Sequence, residues 1–220
     1  FEKIDLFLER IENQLVYYSS NYLNFLRSIL KNSKLFYLVS YDKMNSIQAI
    51  LPLSCIEIGE GKFVINSLPY FGSHGGILLD PQKPNIPDIF KEYHQYIEKK
   101  FINKNLISFL IIDNPISYHN YEKYKVEYFK FEDIRISQMK YLPKFENINE
   151  IEQKLFESFH VKTRNAIRKG LKLNPQFIEN SNSNNINWIQ KVHKNSLEKM
   201  GGKHKTLLEL ENLIRHFPPP

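Results

Sequence analysis

The spacing of apolar residues predicts a helical start to the chain. Apolar side chains recur every three or four positions from Ile4 to Leu15 and again from Tyr22 to Leu30, which is the period of an amphipathic helix. The intervening segment, YYSSN, contains serine and asparagine, which favour the N-cap of a helix. We therefore predict a first helix, a short break and a second helix that begins near Ser20.

The next pattern predicts β-structure. Runs rich in β-branched and aromatic residues, LFYLVSYD, IQAILPLSCIEI and FVINSLPY, are separated by the turn-like segments KMNS and GEGK. Short turns of this kind connect neighbouring antiparallel strands. We predict an antiparallel meander.

A helix and two further strands complete the first lobe in this interpretation. Helical spacing returns from Asn85 to Phe101, and prolines stand where a helix start tolerates them. The apolar run from Leu106 to Asp113 predicts a strand covered on both faces, and the alternating segment IRISQMKYL, residues 134–142, predicts a final strand. The fold class expected for residues 1–143 is α/β or α+β, with a mixed, largely antiparallel sheet flanked by helices.

Helical patterns begin again after Pro143 and predict the opening part of a second lobe over residues 144–220. Apolar stripes run from Ile151 to Phe159, from Ala166 to Leu171 and from Ile186 to Leu197, and the segment TLLELENLIRHF forms a last short helix. The segment has no room for a strand-rich core of its own. We expect this second lobe to be incomplete.

Composition excludes several classes of protein. With 220 residues, 42% hydrophobic and 14% aromatic, the chain is neither disordered nor collagen-like. No apolar run reaches the roughly 18 residues needed to cross a bilayer, and acidic residues interrupt the N-terminal segment where a signal peptide would be apolar. The single cysteine, Cys55, lies among apolar residues and is expected to be a small core residue. We predict a cytoplasmic protein.

Positive charge is concentrated in one short segment. The net charge is +6, and no acidic residue lies between Glu157 and Glu179, where five basic residues fall. On a helix from Lys162 to Leu171 the arginines Arg164 and Arg168 flank one side of an apolar line, and the lysines, Lys169 included, flank the other. Such a surface either binds phosphate or carboxylate groups or is a solvated basic face.

The glycine-containing segment LPYFGSHGGILLD, residues 68–80, is a second candidate site. Gly75 and Gly76 allow a sharp turn or a close approach to a ligand, with Tyr70 and His74 as polar contacts and Asp80 as a proton acceptor or ammonium anchor. We predict Asp80 and His74 as catalytic residues and Tyr70, Gly75 and Gly76 as substrate-binding residues. The alternative is a glycine-rich hairpin in which Asp80 merely starts the next turn.

Other chemistries lack a motif. The sequence contains no Walker loop, no G-x-G-x-x-G after a strand, no G-x-S-x-G and no cluster of histidine with cysteine, so we predict no metal site and no built-in cofactor. A Gly-rich pyrophosphate loop between a strand and a helix is also missing, which disfavours binding of coenzyme A.

Two stretches resemble the Fem family of peptidoglycan-bridge aminoacyltransferases and the related GNAT-like acyltransferases. They are LPLSCIEIG followed by SLPYFGSHGGILLD, and FESFHVKTRNAIRKGLKLN. The later segment NSLEKMGGK is similar to a family helix that ends in a glycine turn. The segment SHGG replaces the family's Arg-Gly-Pro before the aspartate that would match Asp80.

The resemblance implies two GNAT-like lobes and transfer of an aminoacyl or acyl group from a carrier to an amine. The carrier would be an aminoacyl-tRNA or an acyl-CoA as co-substrate, and the acceptor a nucleotide-linked cell-wall precursor. The basic residues Lys162, Arg164, Arg168 and Lys169 would then hold phosphates. Alternatives are an acyl-CoA-dependent N-acetyltransferase, or a noncatalytic lobe that binds RNA or another anionic polymer through its basic helix.

Overall fold

The computed structural model describes residues 2–12, 14–68, 74–82, 86–101, 105–114, 116, 128–134, 147–176 and 182–218. The chain forms two compact units, one of Phe1–Asp133 with Asn182–Pro220 and one of Ile134–Ser181. The helices after Asn182 thus belong to the same unit as the sheet. The boundary expected at residue 143 stays a prediction.

The N-terminal region has the predicted break between two helices. Helix α1 spans Glu2–Leu8, a 3₁₀ turn spans Val16–Tyr18, and α2 spans Ser20–Ile29. The hydroxyl of Ser19 accepts a hydrogen bond from the backbone N–H of Tyr22 and so caps α2. The first helix ends earlier than its apolar pattern suggests.

Five strands of the described residues form a mixed, largely antiparallel sheet, as the sequence predicts. They are β1 (Ser33–Tyr41), β2 (Ile47–Glu57), β3 (Phe63–Asn66), β4 (Leu78–Leu79) and β5 (Leu106–Leu110). The order is β1-β2-β3-β5, and β4 also pairs with β2. The pairs that involve β2 are antiparallel, whereas β3 and β5 are parallel.

The core lies on both faces of β2 because its side chains alternate between two layers. Leu51 and Leu53 pack with helix α3 (Ile86–Phe101), whereas Ile50 packs with α1 on the opposite face. The hydroxyl of Tyr93 on α3 contacts the carbonyl oxygen of Ala49 at 2.9 Å, and burial raises the pKa of this phenol. These contacts fix α3 against the sheet.

Strand β5 corrects one expectation. The apolar run was expected to be covered on both faces, but Ile107 is 57% exposed and Leu110 is 48% exposed. Only one face, with Leu106 and Phe109, packs against the core beneath α3. Of the final strand predicted over residues 134–142, all but the first residue lie outside the described residues.

Four further helices in the described ranges 147–176 and 182–218 confirm the helical periods after Pro143. They are α4 (Ile148–Glu157), α5 (Val161–Leu171), α6 (Ser183–Lys199) and α7 (Leu207–His216). The end of α7 packs on α2, with Phe217 beside Tyr22 and His216 beside Phe25. No helix in the described part of the chain is long and apolar enough to span a membrane.

A buried hydroxyl on β2 gives a stability prediction. Ser54 is 2% exposed, and its hydroxyl has no hydrogen-bond partner among the described residues. Because an unsatisfied buried polar group carries a desolvation cost, Ser54→Ala should raise the free energy of unfolding by about 1 kcal/mol, measured by equilibrium denaturation.

Ser67 provides the matched control. It is equally buried, but its hydroxyl accepts a hydrogen bond from the N–H of Ile112 at 2.8 Å. Ser67→Ala should therefore lower the free energy of unfolding by about 1–3 kcal/mol. An equal loss in Ser54→Ala would show that the Ser54 hydroxyl is bonded after all.

Candidate functional site

One edge of β2 is shared by two short strands. Strand β3 pairs with the C-terminal half of β2, and β4 pairs with Ala49 and Ile50 nearer its start. Residues 67 and 74–76, which stand between β3 and β4 in the sequence, lie beside the chain that follows β5, the strand parallel to β3.

Backbone hydrogen bonds attach the glycine-containing segment to the chain that follows β5. The N–H of Gly75 donates to the carbonyl of Ile112 at 2.8 Å, and the N–H of Ser67 donates to Leu110 at 3.0 Å. The Ser67 hydroxyl accepts a hydrogen bond from the N–H of Ile112. Residues 67 and 74–76 thus line one side of residues 110–114.

The approach is so close that Gly75 and Gly76 must lack side chains. A Cβ atom on Gly76 would lie 2.8 Å from Oδ1 of Asp113 and 2.9 Å from its Cα. A Cβ atom on Gly75 would lie 2.8 Å from the carbonyl oxygen of Ser67. Both glycines are buried, so they form the wall itself.

His74 is the half-buried ionisable side chain of this wall. Its Nδ1 lies 3.1 Å from the carbonyl oxygen of Asp113. Because a carbonyl oxygen only accepts, this hydrogen bond places the proton on Nδ1 and leaves Nε2 as an acceptor in the neutral ring. A catalytic role of His74 stays a prediction.

Asp80 follows β4 and uses different partners from His74. Its Oδ1 accepts a hydrogen bond from the N–H of Gln82 at 3.0 Å, and its Oδ2 lies 3.9 Å from the Arg10 guanidinium. Its own N–H bonds to the carbonyl of Gln48. The aspartate is 5% exposed, and its carboxylate caps the turn that follows it. The glycine-rich hairpin given as the alternative is not formed, because β3 and β4 are both antiparallel to β2. The role of Asp80 in proton transfer stays a prediction.

One predicted residue of the site is not described by the structure, and three residues near the site were not predicted from the sequence. Tyr70 lies outside the described residues. Ser67, Asp113 and Asn114 were missed, although Asp113 and Asn114 are polar residues directly after an apolar strand. Asn114 is 2% exposed, and its Oδ1 accepts a hydrogen bond from the N–H of Ile116.

The basic segment forms the α4–α5 hairpin of the second unit, in which the arginines make internal contacts. Nη1 of Arg164 donates to the carbonyls of Glu157 at 2.9 Å and Phe159 at 3.0 Å, at the end of α4. The guanidinium of Arg168 lies over the ring of Phe156, with Cζ 5.0 Å from its centroid.

The lysines of the same helix differ from the arginines. The side chains of Lys162 and Lys169, and of Lys172 just after α5, are exposed and make no hydrogen bond or ion pair to any described residue. The basic patch predicted from the sequence therefore consists of two chemically distinct groups.

A surface pocket of about 550 Å³ lies elsewhere, beside β1. It is lined by α1 residues, by Arg27 and by β1 side chains such as Tyr37 and Tyr41. It includes none of the residues predicted as a site.

Comparison with known proteins gives a fold but no sequence family. No protein-family model matches the chain, and no curated protein matches its sequence. Among solved structures, the crystal structure of FemX superposes with a TM-score of 0.66 at 13% sequence identity, over 98% of this chain and 52% of FemX. The chain has a FemX-like fold. It spans about half the length of FemX.

The FemX-like fold agrees with the mixed sheet and flanking helices predicted from the sequence. At this identity the likeness concerns the fold alone. The roles of His74, Asp80 and the basic residues depend on the geometry described above.

The glycine contacts predict a large difference between two alanine substitutions. Gly76→Ala should lower the free energy of unfolding by about 1–3 kcal/mol, because the new Cβ would overlap Asp113. Equilibrium denaturation measures the change.

Gly170 in α5 is the control because a Cβ there meets nothing within 4 Å. Gly170→Ala should leave stability unchanged or raise it by up to about 1 kcal/mol, since alanine favours a helix. A Gly76→Ala protein as stable as the parent would contradict the close approach.

Proposed function

We propose that the chain is the FemX-like part of an acyltransferase, which moves an aminoacyl or acyl group from a carrier to an amine acceptor. The observation that carries the proposal is the structural likeness to FemX over 98% of the chain, which includes both stretches that resemble the Fem family. The proposed process is the synthesis of cell wall or surface polysaccharide, in the cytoplasm.

The reaction would need a neutral amine and a base. The amine attacks the acyl carbonyl, a C–N bond forms, and the C–O bond to tRNA or the C–S bond to coenzyme A breaks. The proton lost by the amine would pass to Nε2 of His74, whose Nδ1 proton is held by the carbonyl of Asp113, and from Nε2 to the leaving oxygen or sulfur. The Asp80 carboxylate, paired with Arg10, would anchor an ammonium group or take the proton instead.

The glycine wall would limit where an acyl group can lie. Gly75 and Gly76 pack directly against Ser67 and Asp113, so the acyl group would have to lie outside this contact. The N–H of Gly75 is bonded to Ile112, so a different group would have to donate to an oxyanion. Phosphates of the carrier or of a nucleotide-linked acceptor would bind the basic residues of α5.

Ligand-induced stabilisation tests the proposal at the level of binding. The 220-residue chain would be heated with acetyl-CoA, with uncharged tRNA and with a UDP-linked sugar-peptide, because a ligand of the native state raises its apparent melting temperature. We expect a shift with at least one carrier or acceptor. A folded sample that none of the three shifts would contradict the proposal.

A transfer assay with the ligands so identified tests the base. His74→Gln removes the acceptor Nε2 and should lower the rate of transfer by about 10²–10⁴-fold without loss of folding. The control is Asp80→Asn, which keeps the oxygen that accepts from Gln82 and removes only the charge. Full activity of His74→Gln, with loss in Asp80→Asn, would move the base to Asp80.

A further inference from the structure

Strand β1 forms one edge of the sheet. In the part of the chain that the structure describes, it pairs with β2 on one side and with no strand on the other. Natural edge strands are protected from pairing with other chains by charged side chains, prolines or bulges. In β1 the charged residue Lys34 and the irregularity between Ser40 and Tyr41 lie near the two ends. The central segment LFYLV, residues 35–39, has none of these protections.

The contacts of Tyr93 show which backbone groups of β1 face outward. Its hydroxyl lies 3.3 Å from the carbonyl oxygen of Leu38 on β1 and 2.9 Å from that of Ala49 on β2. Both carbonyls therefore point into the space between the two strands. Because backbone groups alternate along an antiparallel strand, the N–H and carbonyl groups of Leu35 and Val39 point away from β2. Val39 thus presents a donor and an acceptor to a strand added at this edge.

The pocket of about 550 Å³ lies along the same edge. Leu35 and Val39 line it together with the start of α1 and with Arg27, whose guanidinium donates to the carbonyl of Leu35 at 3.1 Å. Leu35 packs in the cluster built by α2, and Val39 packs against the cluster built by α1. Basic Arg27 therefore lies toward one end of the edge and acidic Glu2 of α1 toward the other.

These features fit a second copy of β1. When two copies pair antiparallel about a twofold axis at Tyr37, Leu35 of each strand lies opposite Val39 of the other, and the two residues exchange backbone hydrogen bonds. Lys34 then lies opposite Ser40, so no like charges meet across the paired strands.

The same symmetry brings Glu2 of each copy toward Arg27 of the other, which makes the two ends of the edge complementary in charge. Lys3, beside Glu2, opposes this attraction. We therefore expect backbone pairing to supply most of the affinity and the charges to favour this register.

We propose that β1 is a dimerisation edge, at which two copies of this chain pair antiparallel about Tyr37 and join their sheets into one. The proposal is independent of the proposed acyl transfer, because it requires neither a carrier nor an acceptor.

The mass of the 220-residue chain in solution tests the proposal. Sedimentation velocity over a range of concentrations should show a reversible dimer of twice the 26.2 kDa mass of the chain. Val39→Pro removes an N–H that faces away from β2, so it keeps the ladder within each copy and should raise the dissociation constant about tenfold or more. Val39→Thr keeps the N–H and should dimerise like the parent. A chain that is monomeric at every concentration would overturn the proposal.

Amide hydrogen exchange of the unsubstituted chain locates the interface even if Val39→Pro does not fold. The N–H of Val39 should exchange more slowly as the protein concentration rises, whereas that of Leu38, which faces β2, should exchange at the same rate throughout. A dimer in which exchange at Val39 is independent of concentration uses another surface and would overturn the proposal.

A charge reversal tests the register. Glu2→Lys should raise the dissociation constant about threefold to tenfold, because it places a lysine beside Arg27 of the other copy. Glu12→Lys is the control: it changes the net charge equally at an exposed residue outside the pocket, and it should leave the dimer unchanged. Equal weakening by both substitutions would contradict the pairing about Tyr37.

Discussion

The hydrogen bond between the Gly75 N–H and the Ile112 carbonyl joins the two parts of the sheet that build the candidate site. It holds residues 74–76 beside the continuation of β5, although 37 positions separate the two bonded residues in the sequence. The contact requires glycine at positions 75 and 76, because any Cβ atom there would overlap backbone or side-chain atoms of Ser67 or Asp113. His74 is oriented by the same contact, through Asp113.

The contact depends on the pairing of β2 with two other strands. Strand β2 is long enough to pair with β3 along one half and with β4 along the other. Its side chains are buried on both faces by α3 and by the N-terminal helices, so the strand is a rigid support. The site residues then lie where the chain leaves and rejoins one edge.

Local patterns in the sequence predicted most of the elements. The helical periods of α2 and α3 and the turn-separated runs of β1 to β3 are properties of neighbouring residues, and Ser19 is the expected kind of N-cap. The parallel pairing of β3 with β5 and the two-residue strand β4 depend on distant residues and were not predictable from local pattern. The exposure of Ile107 has the same origin, since hydrophobicity does not show which face of a strand a helix covers.

The candidate site shows the same difference between features set by neighbouring residues and features set by distant ones. Glycine, histidine and the basic cluster were recognisable as residue types, whereas their contacts were not. Arg164 was recognisable as a basic residue, whereas its hydrogen bonds to the carbonyls of Glu157 and Phe159 could not be predicted from the sequence. The sequence likewise predicts a catalytic carboxylate at Asp80. The contacts observed for this side chain are a hydrogen bond from the N–H of Gln82 and an ion pair with Arg10.

The most direct measurement is native-state amide hydrogen exchange at Gly75 and Ile112, followed by NMR. If the glycine-containing segment is bonded to the chain after β5, both amides should exchange as slowly as those of β2, because each donates a hydrogen bond in a buried contact. Exchange at the rate of an exposed loop, with β2 still protected, would show that the segment is not held there and would remove the basis for the candidate site.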